Sequence, residues 1–314
     1  MSDVLRQLRA RAAERPRRIV FPEPDDPRVL EAAEVLARDG LAHPLIIGRE
    51  APAGCEPAIC AGDDFERCVQ ALTARRAHKG MTEDRARDQI ASQPLLHAAL
   101  CVQTGLADAS VAGSVASTAN VIRAALMGVG TAEGVSLVSS FFLMCLRDGR
   151  CLTYADCGVV PDPDAEQLAE IARVAAVSHT RMTGESARVA MLSFSTRGSA
   201  QHTLVDKVRQ ATERLREQAP DLAVEGEIQF DAAFDPAVGQ RKAPDSPVAG
   251  QANVFIFPNL DAGNIAYKIT QRLGGAQAIG PLVQGLAKPC MDLSRGCSVQ
   301  DIVDVACMAS VLAE

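Results

Sequence analysis

Short β-branched segments alternate with longer helical patterns along almost the whole chain, and this alternation constrains the fold most strongly. The apolar runs 18–21, 44–48 and 109–113 predict strands. After each run the apolar residues recur at helical spacing. The alternation resumes near residue 163 and continues to a final helix at about 299–313. Such a pattern predicts an α/β fold with mainly parallel sheets, covered by helices on both faces.

The alternation is interrupted between residues 134 and 157. Two extended runs, 135–146 and 151–156, flank Asp148-Gly149, and Asp-Gly between apolar runs predicts a β-hairpin. We expect one domain to give way to the next near this hairpin. Segment 50–64 is polar and irregular, which predicts a surface excursion. Further helices are predicted at 28–37, 63–76, 82–104, from 117 or 118, at 163–182, 201–218 and 261–273, and further strands at 188–193, 223–231, 252–257 and 277–283.

The charge balance excludes several classes of partner. The chain has 314 residues, with 39 acidic and 32 basic side chains and a net charge of −7, so no overall positive field attracts nucleic acid. No apolar run approaches the ~18–20 residues that cross a bilayer, and residues 1–6 do not resemble a secretory signal. Residues 4–8 form only a weak apolar stripe, which does not predict a microcompartment-targeting helix. We therefore expect a cytoplasmic protein that binds neither nucleic acid nor membrane.

The ten cysteines and five histidines do not form a sequence-level metal motif. No Cys-x-x-Cys or His-x-x-x-His pair is present, and structural zinc sites usually contain ligand pairs two to four residues apart. In a chain of this size without a signal peptide, reduced thiols that fill the core are the expected state. The sequence thus predicts no metal and no tightly bound cofactor.

Four turns next to predicted strands and helices are rich in small polar residues. They lie at 113–123, 193–200, 246–264 and 292–301. Ligands of α/β sheets bind at the carboxyl ends of the strands, and the helix after residue 113 is expected to offer free N–H groups to an anion. None of these turns has a dinucleotide-binding or P-loop fingerprint. Together they predict a site for a small phosphorylated or acidic ligand.

Several long runs then resemble one family. Residues 246–258, 262–268, 280–289 and 292–298 look like phosphate acetyltransferases. The resemblance extends from residue 21 to the last helix, and only 50–65 is unlike the family. Residues 117–124 and 153–161 are most similar to the ethanolamine-utilisation branch. The main branch usually has His at Ala116, Asp at Asn120 and Pro at Ala124, so roles of those three side chains cannot be transferred.

The resemblance implies reversible transfer of an acetyl group between coenzyme A and orthophosphate, with acetyl phosphate formed by direct attack in a ternary complex. It also implies a homodimer and an architecture like that of isocitrate and isopropylmalate dehydrogenases. In this architecture two three-layer α/β domains with mainly parallel sheets face a cleft. The first domain would comprise 1–134 and 281–314, and the second 135–280. Coenzyme A would act as a substrate.

The family's active-site residues match Ser294, Arg295 and Asp301. Arg295 would hold the phosphate, since a guanidinium suits phosphate oxygens. Ser294 and backbone N–H groups would stabilise the oxyanion, and Asp301 would accept the thiol proton. Arg76 and Arg123 match further functional arginines. Additional candidates for binding substrate or coenzyme A are Ser117, Thr118, Ser195, Lys288 and Asn264, with Arg197 as a further cation.

Each of these residues also has a structural interpretation. Ser298 to Asp301 fits a helix capping box, and Ser294 fits a loop hydroxyl. Arg76 fits a solvated helix residue, and Arg123 fits a partner for a carboxylate. Cys297, next to a helix start, could instead be a thiolate nucleophile that forms an acyl-enzyme.

Three other functions remain open at the sequence level. The first is the same chemistry on a longer acyl group, such as propionyl or butyryl. The second is an NAD-dependent, metal-requiring decarboxylating dehydrogenase, which the missing cluster of metal-binding aspartates disfavours. The third is a catalytically inactive relative that only binds the ligand. The intact set Ser294, Arg295 and Asp301 argues against this third possibility.

Overall fold

The computed structural model describes residues 2–48 and 50–313. The helices are α1 (Asp3–Glu14), α2 (Pro27–Arg38), α3 (Gly62–Arg76), α4 (Glu83–Ser92), α5 (Pro94–Thr104), α6 (Thr118–Gly128), α7 (Ala165–Thr183), α8 (Thr203–Gln218), α9 (Phe230–Phe234), α10 (Pro236–Lys242), α11 (Leu260–Arg272) and α12 (Val299–Leu312). The strands are β1 (Arg17–Phe21), β2 (Ala42–Ile47), β3 (Glu56–Ala58), β4 (Ala109–Ala112), β5 (Ser139–Cys145), β6 (Cys151–Ala155), β7 (Arg188–Leu192), β8 (Ala223–Ile228), β9 (Val254–Ile256), β10 (Gln277–Gln284) and β11 (Cys290–Asp292).

The chain forms two compact units. The first combines Asp3–Gly134 with Leu286–Glu314, and the second is Val135–Gly285. The chain returns to the first unit after Gly285 and not at residue 281, because Pro281 lies inside β10. This strand pairs antiparallel with β5 as far as Gln284.

The first unit contains a parallel sheet in the order β11-β4-β1-β2-β3. Ile19 and Val20 in β1 are both fully buried, and successive side chains of a strand point to opposite faces. Both faces of the sheet are therefore covered. Val20 packs with side chains of α3, α4 and α5, whereas α12 packs against α1, α2 and strands β1 and β4.

The second unit contains a six-stranded sheet in the order β10-β5-β6-β9-β7-β8. Strands β6, β9, β7 and β8 are parallel neighbours, while β10 and β6 flank β5 in antiparallel pairs. The β5–β6 pair confirms the hairpin expected at Asp148-Gly149. Phe142, Tyr154 and Phe255 lie in the core of this unit. The predicted fold class, α/β with mainly parallel sheets, is confirmed.

Two predicted elements are wrong in extent. The single helix expected over 82–104 is divided into α4 and α5, because Pro94 cannot donate a backbone hydrogen bond and disfavours helical geometry at the preceding residue. Gln93 accordingly has φ −128° and ψ 86°. The extended segment expected over 223–231 ends at Ile228, and Phe230 begins the short helix α9.

Four elements have no counterpart among the predictions, and the seven-residue helix α10 is one of them. Helix α1 buries Leu5 and Leu8 despite its weak apolar stripe. Strand β3 lies inside the expected polar excursion, and β11 precedes the predicted active-site turn. Each of these two strands has three residues, which is too short for the two-residue alternation that marks a strand in a sequence.

Candidate active site

Three neighbouring strands of the first unit end beside one another. Strands β1, β4 and β11 are parallel and adjacent, so their carboxyl ends share one edge of the sheet. The loops that follow them contain residues 22–26, 113–117 and 293–298. The predicted catalytic residues Ser294 and Arg295 lie in the third loop, which places them where α/β sheets bind ligands.

A carboxylate from the first loop occupies the second loop. The oxygens of Glu23 accept hydrogen bonds from the backbone N–H groups of Gly113, Ser114, Val115 and Ala116, at 2.7, 3.0, 3.1 and 2.7 Å. The Ser114 hydroxyl donates a fifth, at 3.1 Å. The expectation that this loop offers free N–H groups to an anion is therefore wrong for 113–116, because the protein supplies its own anion there.

Arg28 connects all three loops. Its guanidinium donates to both carboxylate oxygens of Asp26, at 3.0 and 2.7 Å, and to the carbonyl oxygen of Ser114 at 3.1 Å. It also donates to the carbonyl oxygens of Arg295 and Cys297, at 3.0 and 2.7 Å. Asp26 is buried, and the hydrogen bond from Arg28 lowers the pKa of its carboxyl group. Arg28 thus fixes the backbone at Arg295 and again two residues later, at Cys297.

Asp292, the last residue of β11, is a buried carboxyl group with one unsatisfied oxygen. Its Oδ2 accepts a hydrogen bond of 2.6 Å from the Thr118 hydroxyl. Its Oδ1 is buried and has no hydrogen-bond partner among the described residues. The pKa of Asp292 is raised to about 6, mainly by burial and also by the negative charge of Glu23.

Gly113 is required where the loop after β4 passes Asp292. A Cβ atom at position 113 would lie 2.4 Å from Oδ1 of Asp292 and 2.7 Å from the backbone nitrogen of Leu293. The φ angle of Gly113 is +105°, which L side chains rarely adopt. Close approach and backbone conformation both restrict this position to glycine.

The predicted catalytic side chains in the third loop are exposed. The Ser294 hydroxyl accepts a hydrogen bond of 3.3 Å from the Gly296 N–H group. The Arg295 guanidinium makes no hydrogen bond or ion pair with any residue in 2–48 or 50–313, so all its donors can bind a ligand. The backbone N–H groups of Val299 and Gln300, at the start of α12, are not bonded within the helix.

Asp301 takes part in the capping box that its spacing suggests. Its Oδ2 accepts hydrogen bonds from the backbone and the hydroxyl of Ser298, both at 2.8 Å. The Ser298 hydroxyl in turn accepts from the Asp301 N–H group at 3.2 Å. No described residue donates to Oδ1 of Asp301. The carboxylate is exposed, so this second oxygen can contact a ligand while the cap is intact.

Cys297 does not have the environment of an activated nucleophile. Its side chain is buried, and burial raises the pKa of its thiol, with further increases from the charges of Asp301 and Asp26. Nucleophilic cysteines need a lowered pKa. The structure therefore contradicts the low-pKa thiolate that an acyl-enzyme mechanism would need.

The two further arginines of the first unit lie in helices. Arg76 ends α3, and its Nε is buried with no hydrogen-bond partner in the described part of the chain. Arg123 is exposed on α6 and donates a 3.0 Å hydrogen bond to Oδ1 of Asn120. The carboxylate partner considered for Arg123 is not found among the described residues. Both guanidinium groups keep donors for a ligand.

Several other predicted binding residues have structural partners. Ser117 is the N-cap of α6 and accepts from Asn120. Thr118 donates to Asp292, as described above. Lys288 donates to the carbonyl oxygens of Val102 and Gln103 at the end of α5, at 2.8 and 3.0 Å. Their predicted role in binding substrate stays a prediction.

The remaining candidates belong to the second unit. Ser195 is fully buried and donates a 2.9 Å hydrogen bond to Glu227. Arg197 pairs with Glu225 at 2.7 Å. Asn264, in α11, donates to the carbonyl oxygen of Cys157 at 3.1 Å. Glu227 also accepts from the Gly198 N–H group at 2.7 Å, so an internal carboxylate occupies this predicted anion loop as well.

Sequence reasoning missed the residues that support the loops. Glu23, Asp26, Arg28 and Asp292 had no assigned role. A signal was present for three of them, since acidic residues follow directly after β1 and occupy the last position of β11. In the structure these acidic residues satisfy the protein's own N–H and hydroxyl groups. Arg28 carries no such signal, because apart from the nearby Asp26 its partners are backbone carbonyls distant in sequence.

Comparison with known proteins identifies the family. Residues 3–310 match the family model described as phosphate acetyl/butaryl transferase. The chain belongs to this family. A phosphate acetyltransferase of Paracoccus denitrificans is 47% identical over 303 residues, which cover 94% of each protein. EutD phosphotransacetylase from Staphylococcus aureus superimposes with a TM-score of 0.93 at 37% identity, over 99% of this chain and 98% of that one. The resemblance seen in the sequence is confirmed.

A more distant structure explains the dehydrogenase-like architecture. A putative 4-hydroxythreonine-4-phosphate dehydrogenase from Salmonella typhimurium gives a TM-score of 0.56 at 11% identity, over 95% of this chain and 99% of the other. At this identity the likeness concerns the fold alone, so it does not support dehydrogenase activity. Membership of the phosphate acetyl/butaryl transferase family favours acyltransferase activity over dehydrogenase activity.

Within 2–48 and 50–313, we find no helix that combines the length and the apolarity needed to span a membrane.

Proposed function

We propose that this chain is a phosphate acetyltransferase that moves an acetyl group reversibly between coenzyme A and orthophosphate. Its similarity to phosphate acetyltransferases extends over nearly its full length, and the acyltransferase activity follows from the family. The observation that carries the proposal is the loop after β11. There an unpaired guanidinium and an exposed hydroxyl lie on a loop whose backbone carbonyls at Arg295 and Cys297 are held by Arg28.

Arg295 binds the transferring phosphate. Acetyl phosphate is a dianion, and a planar guanidinium can donate two parallel hydrogen bonds to its oxygens. The guanidinium has no competing partner in the described chain, while its backbone carbonyl is fixed by Arg28. A mobile donor would lose conformational entropy on binding, and the fixed backbone reduces this loss.

Ser294 stabilises the oxyanion that forms when the thiolate of coenzyme A attacks the acetyl carbonyl. Its hydroxyl is exposed and accepts a long 3.3 Å hydrogen bond from Gly296, so its own proton is free to be donated. The unbonded N–H groups of Val299 and Gln300 lie at the positive end of α12. Fixed donors of this kind lower the energy of a developing negative charge.

Asp301 accepts the thiol proton. A free thiol has a pKa of about 8.5 and a free aspartate about 3.9, so the transfer is uphill by roughly 6 kcal/mol. The transfer becomes feasible when arginine and the helix start stabilise the thiolate. The free oxygen Oδ1 of Asp301 is available for this step, since Oδ2 is engaged by Ser298.

Arg76 and Arg123 bind the phosphates of coenzyme A. The unpartnered, buried Nε of Arg76 supports this role, because buried polar groups without a partner are rare in proteins. Ser117, Thr118, Ser195, Lys288 and Asn264 remain proposed contacts. No tightly bound cofactor enters the reaction. We also propose a cytoplasmic homodimer of the ethanolamine-utilisation branch, because residues 117–124 and 153–161 resemble that branch.

The assay that tests the function follows thioester formation by absorbance. Each reaction contains the full chain, coenzyme A and one acyl phosphate. Acetyl, propionyl and butyryl phosphate are tested in separate reactions. We expect turnover to be highest with acetyl phosphate, and higher turnover with butyryl phosphate would favour the longer-acyl alternative. An absence of turnover with all three would refute the assignment and favour the inactive relative.

A matched pair of variants assigns the activity to the proposed site. Arg295→Gln is expected to lower kcat by about 100-fold or more, as for other lost transition-state donors. Arg38→Gln removes a charged side chain whose partner is the neighbouring Asp39 on the exposed surface, and is expected to retain activity. Equal activity in the two variants would exclude Arg295 from the phosphate site.

A further inference from the structure

Two packed helices of the first unit bring three metal-binding side chains together. Cys68 lies in α3, and His97 and Cys101 lie in α5. One ligand atom from each side chain lies within 4.8 Å of the other two, and all three residues are buried. His97 and Cys101 are four residues apart, so they share one face of α5. Among residues 2–48 and 50–313 this is the only such group of three or more histidine, cysteine or acidic residues.

A fourth ligand approaches from the segment before α3. The Sγ atom of Cys60 lies 3.5 Å from Nδ1 of His97. In a tetrahedral zinc site with Zn–S of about 2.3 Å and Zn–N of about 2.0–2.1 Å, neighbouring ligand atoms are about 3.5–3.8 Å apart. The separation from His97 therefore fits two ligands of one ion. Cys60 lies outside the group whose ligand atoms are all within 4.8 Å of one another, so its thiol must move inward when the ion binds. Three thiols and one imidazole form the Cys3His set of structural zinc sites.

We propose that Cys60, Cys68, His97 and Cys101 form a structural Zn²⁺ site. On binding, each of the three thiols releases its proton to solvent, and the neutral imidazole donates a nitrogen lone pair. Three thiolates, one imidazole and Zn²⁺ leave a net charge of −1 on the site. No oxidant or reductant is required.

The surroundings of the cluster provide access for the ion. A cavity of about 530 Å³ is lined by His97, Cys101, Ala61 and Phe65, among other residues. Phe65 packs edge-on against His97 with ring centroids 5.7 Å apart, which restricts rotation of the imidazole. The site thus combines an entry path with a restrained ligand, as a stable metal site requires.

The position of Cys60 indicates what the metal would do for this chain. Residues 50–65 are the stretch that does not resemble the family, and Cys60 is the ligand that this stretch contributes. Coordination would fasten the segment that carries β3 to α3 and α5. Helix α3 ends in Arg76, so the same ion would fix the helix that presents a proposed coenzyme A ligand.

The spacing of the ligands explains why the sequence did not predict a metal. Cys60 and Cys68 are not a close pair, and His97-x-x-x-Cys101 is not a His-x-x-x-His motif. These ligands are distant in sequence and come together only because α3 packs against α5. Ordinary core thiols are the competing explanation, and they would bind no ion.

Metal analysis of the full chain, purified without a metal-affinity step, tests the site directly. We expect about one zinc per chain. After zinc removal, Co²⁺ should restore one equivalent of binding, with the intense near-ultraviolet absorption of thiolate-to-cobalt charge transfer. A chain that binds neither Zn²⁺ nor Co²⁺ would overturn the proposal. So would a Cys68–Cys101 disulfide, seen as a mass two hydrogens lower in the unreduced protein.

Two cysteine variants and one control resolve the ligand set. Cys101→Ser should abolish stoichiometric binding. Cys60→Ser changes an exposed side chain, so folding should be retained while the charge-transfer intensity falls by about one third, because one of three thiolates is lost. Cys307→Ser removes a buried thiol outside the cluster and should bind metal like the parent. An unchanged Co²⁺ spectrum in Cys60→Ser would refute the four-ligand site.

Discussion

Two carboxyl groups, Glu23 and Asp292, lie against the loop after β4 and the start of α6. Glu23 accepts hydrogen bonds from four consecutive backbone N–H groups, those of residues 113–116. Oδ2 of Asp292 accepts a hydrogen bond from the Thr118 hydroxyl, while Oδ1 has no hydrogen-bond partner among the described residues. A buried charge without full hydrogen bonding lowers stability. Asp292 therefore destabilises the fold at neutral pH while it positions the start of α6.

Asp292→Asn is expected to stabilise the protein at neutral pH. In the parent, the pKa of Asp292 is raised from 3.8 to about 6 by burial, so the folded state binds a proton more tightly than the unfolded state. The free energy of unfolding should consequently decrease as the pH rises from about 4 to 6, by about 3 kcal/mol. The variant should not show this decrease, and its amide oxygen can still accept the hydrogen bond from Thr118. Urea unfolding of parent and variant at pH 4 and 7.5 measures the two free energies of unfolding. A parent and a variant with the same pH dependence would disprove the effect.

Arg28 is a positioning residue, and Arg28→Lys tests it. Lysine keeps the charge but cannot reach Asp26, Ser114 and the Arg295 loop at the same time. We expect kcat to fall by about 10- to 100-fold through misplacement of Arg295, with a smaller change in KM for coenzyme A. Arg38→Lys, whose partner is the exposed Asp39, serves as the control. Equal kcat values for the two variants would show that Arg28 does not position the site.

At the scale of elements, the start of α12 combines two tasks in one carboxylate. Asp301 closes the capping box through Oδ2 and, in the proposed mechanism, accepts a proton through Oδ1. Capping is a contribution to stability, whereas proton transfer is a contribution to rate. Variants of the two partners in the box can therefore separate these tasks.

Asp301→Asn should mainly lower kcat, whereas Ser298→Ala should mainly lower the free energy of unfolding. Asparagine can still cap the helix but cannot accept the proton, so kcat should fall by about 100-fold or more and the pH–rate profile should change. Alanine at 298 should lower the free energy of unfolding by about 1 kcal/mol and leave kcat within a few-fold of the parent. A pH–rate profile of Asp301→Asn that matches the parent would eliminate Asp301 as the base.

The long elements could be predicted because their patterns are local. The hairpin at Asp148-Gly149 and the helix that begins at Ser117-Thr118 follow from turn and cap residues alone. Strand β11 could not be predicted, because three buried residues carry no periodicity. The break at Pro94 could have been predicted from the missing N–H group.

The candidate site could be predicted only in its exposed part. Ser294, Arg295 and Asp301 came from a family motif, and the capping box came from spacing. The hydrogen bonds of Glu23 and Arg28 join loops about 90 and 270 residues apart in the chain, and no local pattern encodes such contacts. The cluster of Cys68, His97 and Cys101 could not be predicted either, because it too depends on contacts between residues distant in sequence.

At the scale of the whole molecule, α11 presents an apolar stripe. Ile265, Ile269 and Leu273 recur every four residues and are 56%, 52% and 83% exposed, so they lie on one side of the helix. Gly263 is the only residue of this helix that is fully buried. Exposed apolar stripes of this kind mark interaction surfaces, and we propose that a second copy of the chain covers this one in the homodimer.

If the proposed dimer forms through α11, Ile269→Glu is expected to convert it to a monomer, because a charge would be buried in an apolar contact. Light scattering coupled to gel filtration measures the mass at several concentrations. Leu204→Glu introduces the same charge at another exposed apolar position, in α8, and should leave the mass unchanged. A dimeric Ile269→Glu would place the interface elsewhere, and a monomeric parent would refute the dimer.

The discontinuous first unit sets an order for synthesis on the ribosome. The second unit, Val135–Gly285, is one continuous segment and is fully synthesised before Leu286 is added. The first unit begins earlier but waits for β11 and α12, so the apolar sides of α1 and α2 lack their packing partner throughout that interval. Ser294, Arg295 and Asp301 arrive with this final segment. The first core of a nascent chain therefore stays unfinished until this segment is made. If Ser294, Arg295 and Asp301 act as proposed, a chain that ends before residue 301 is inactive.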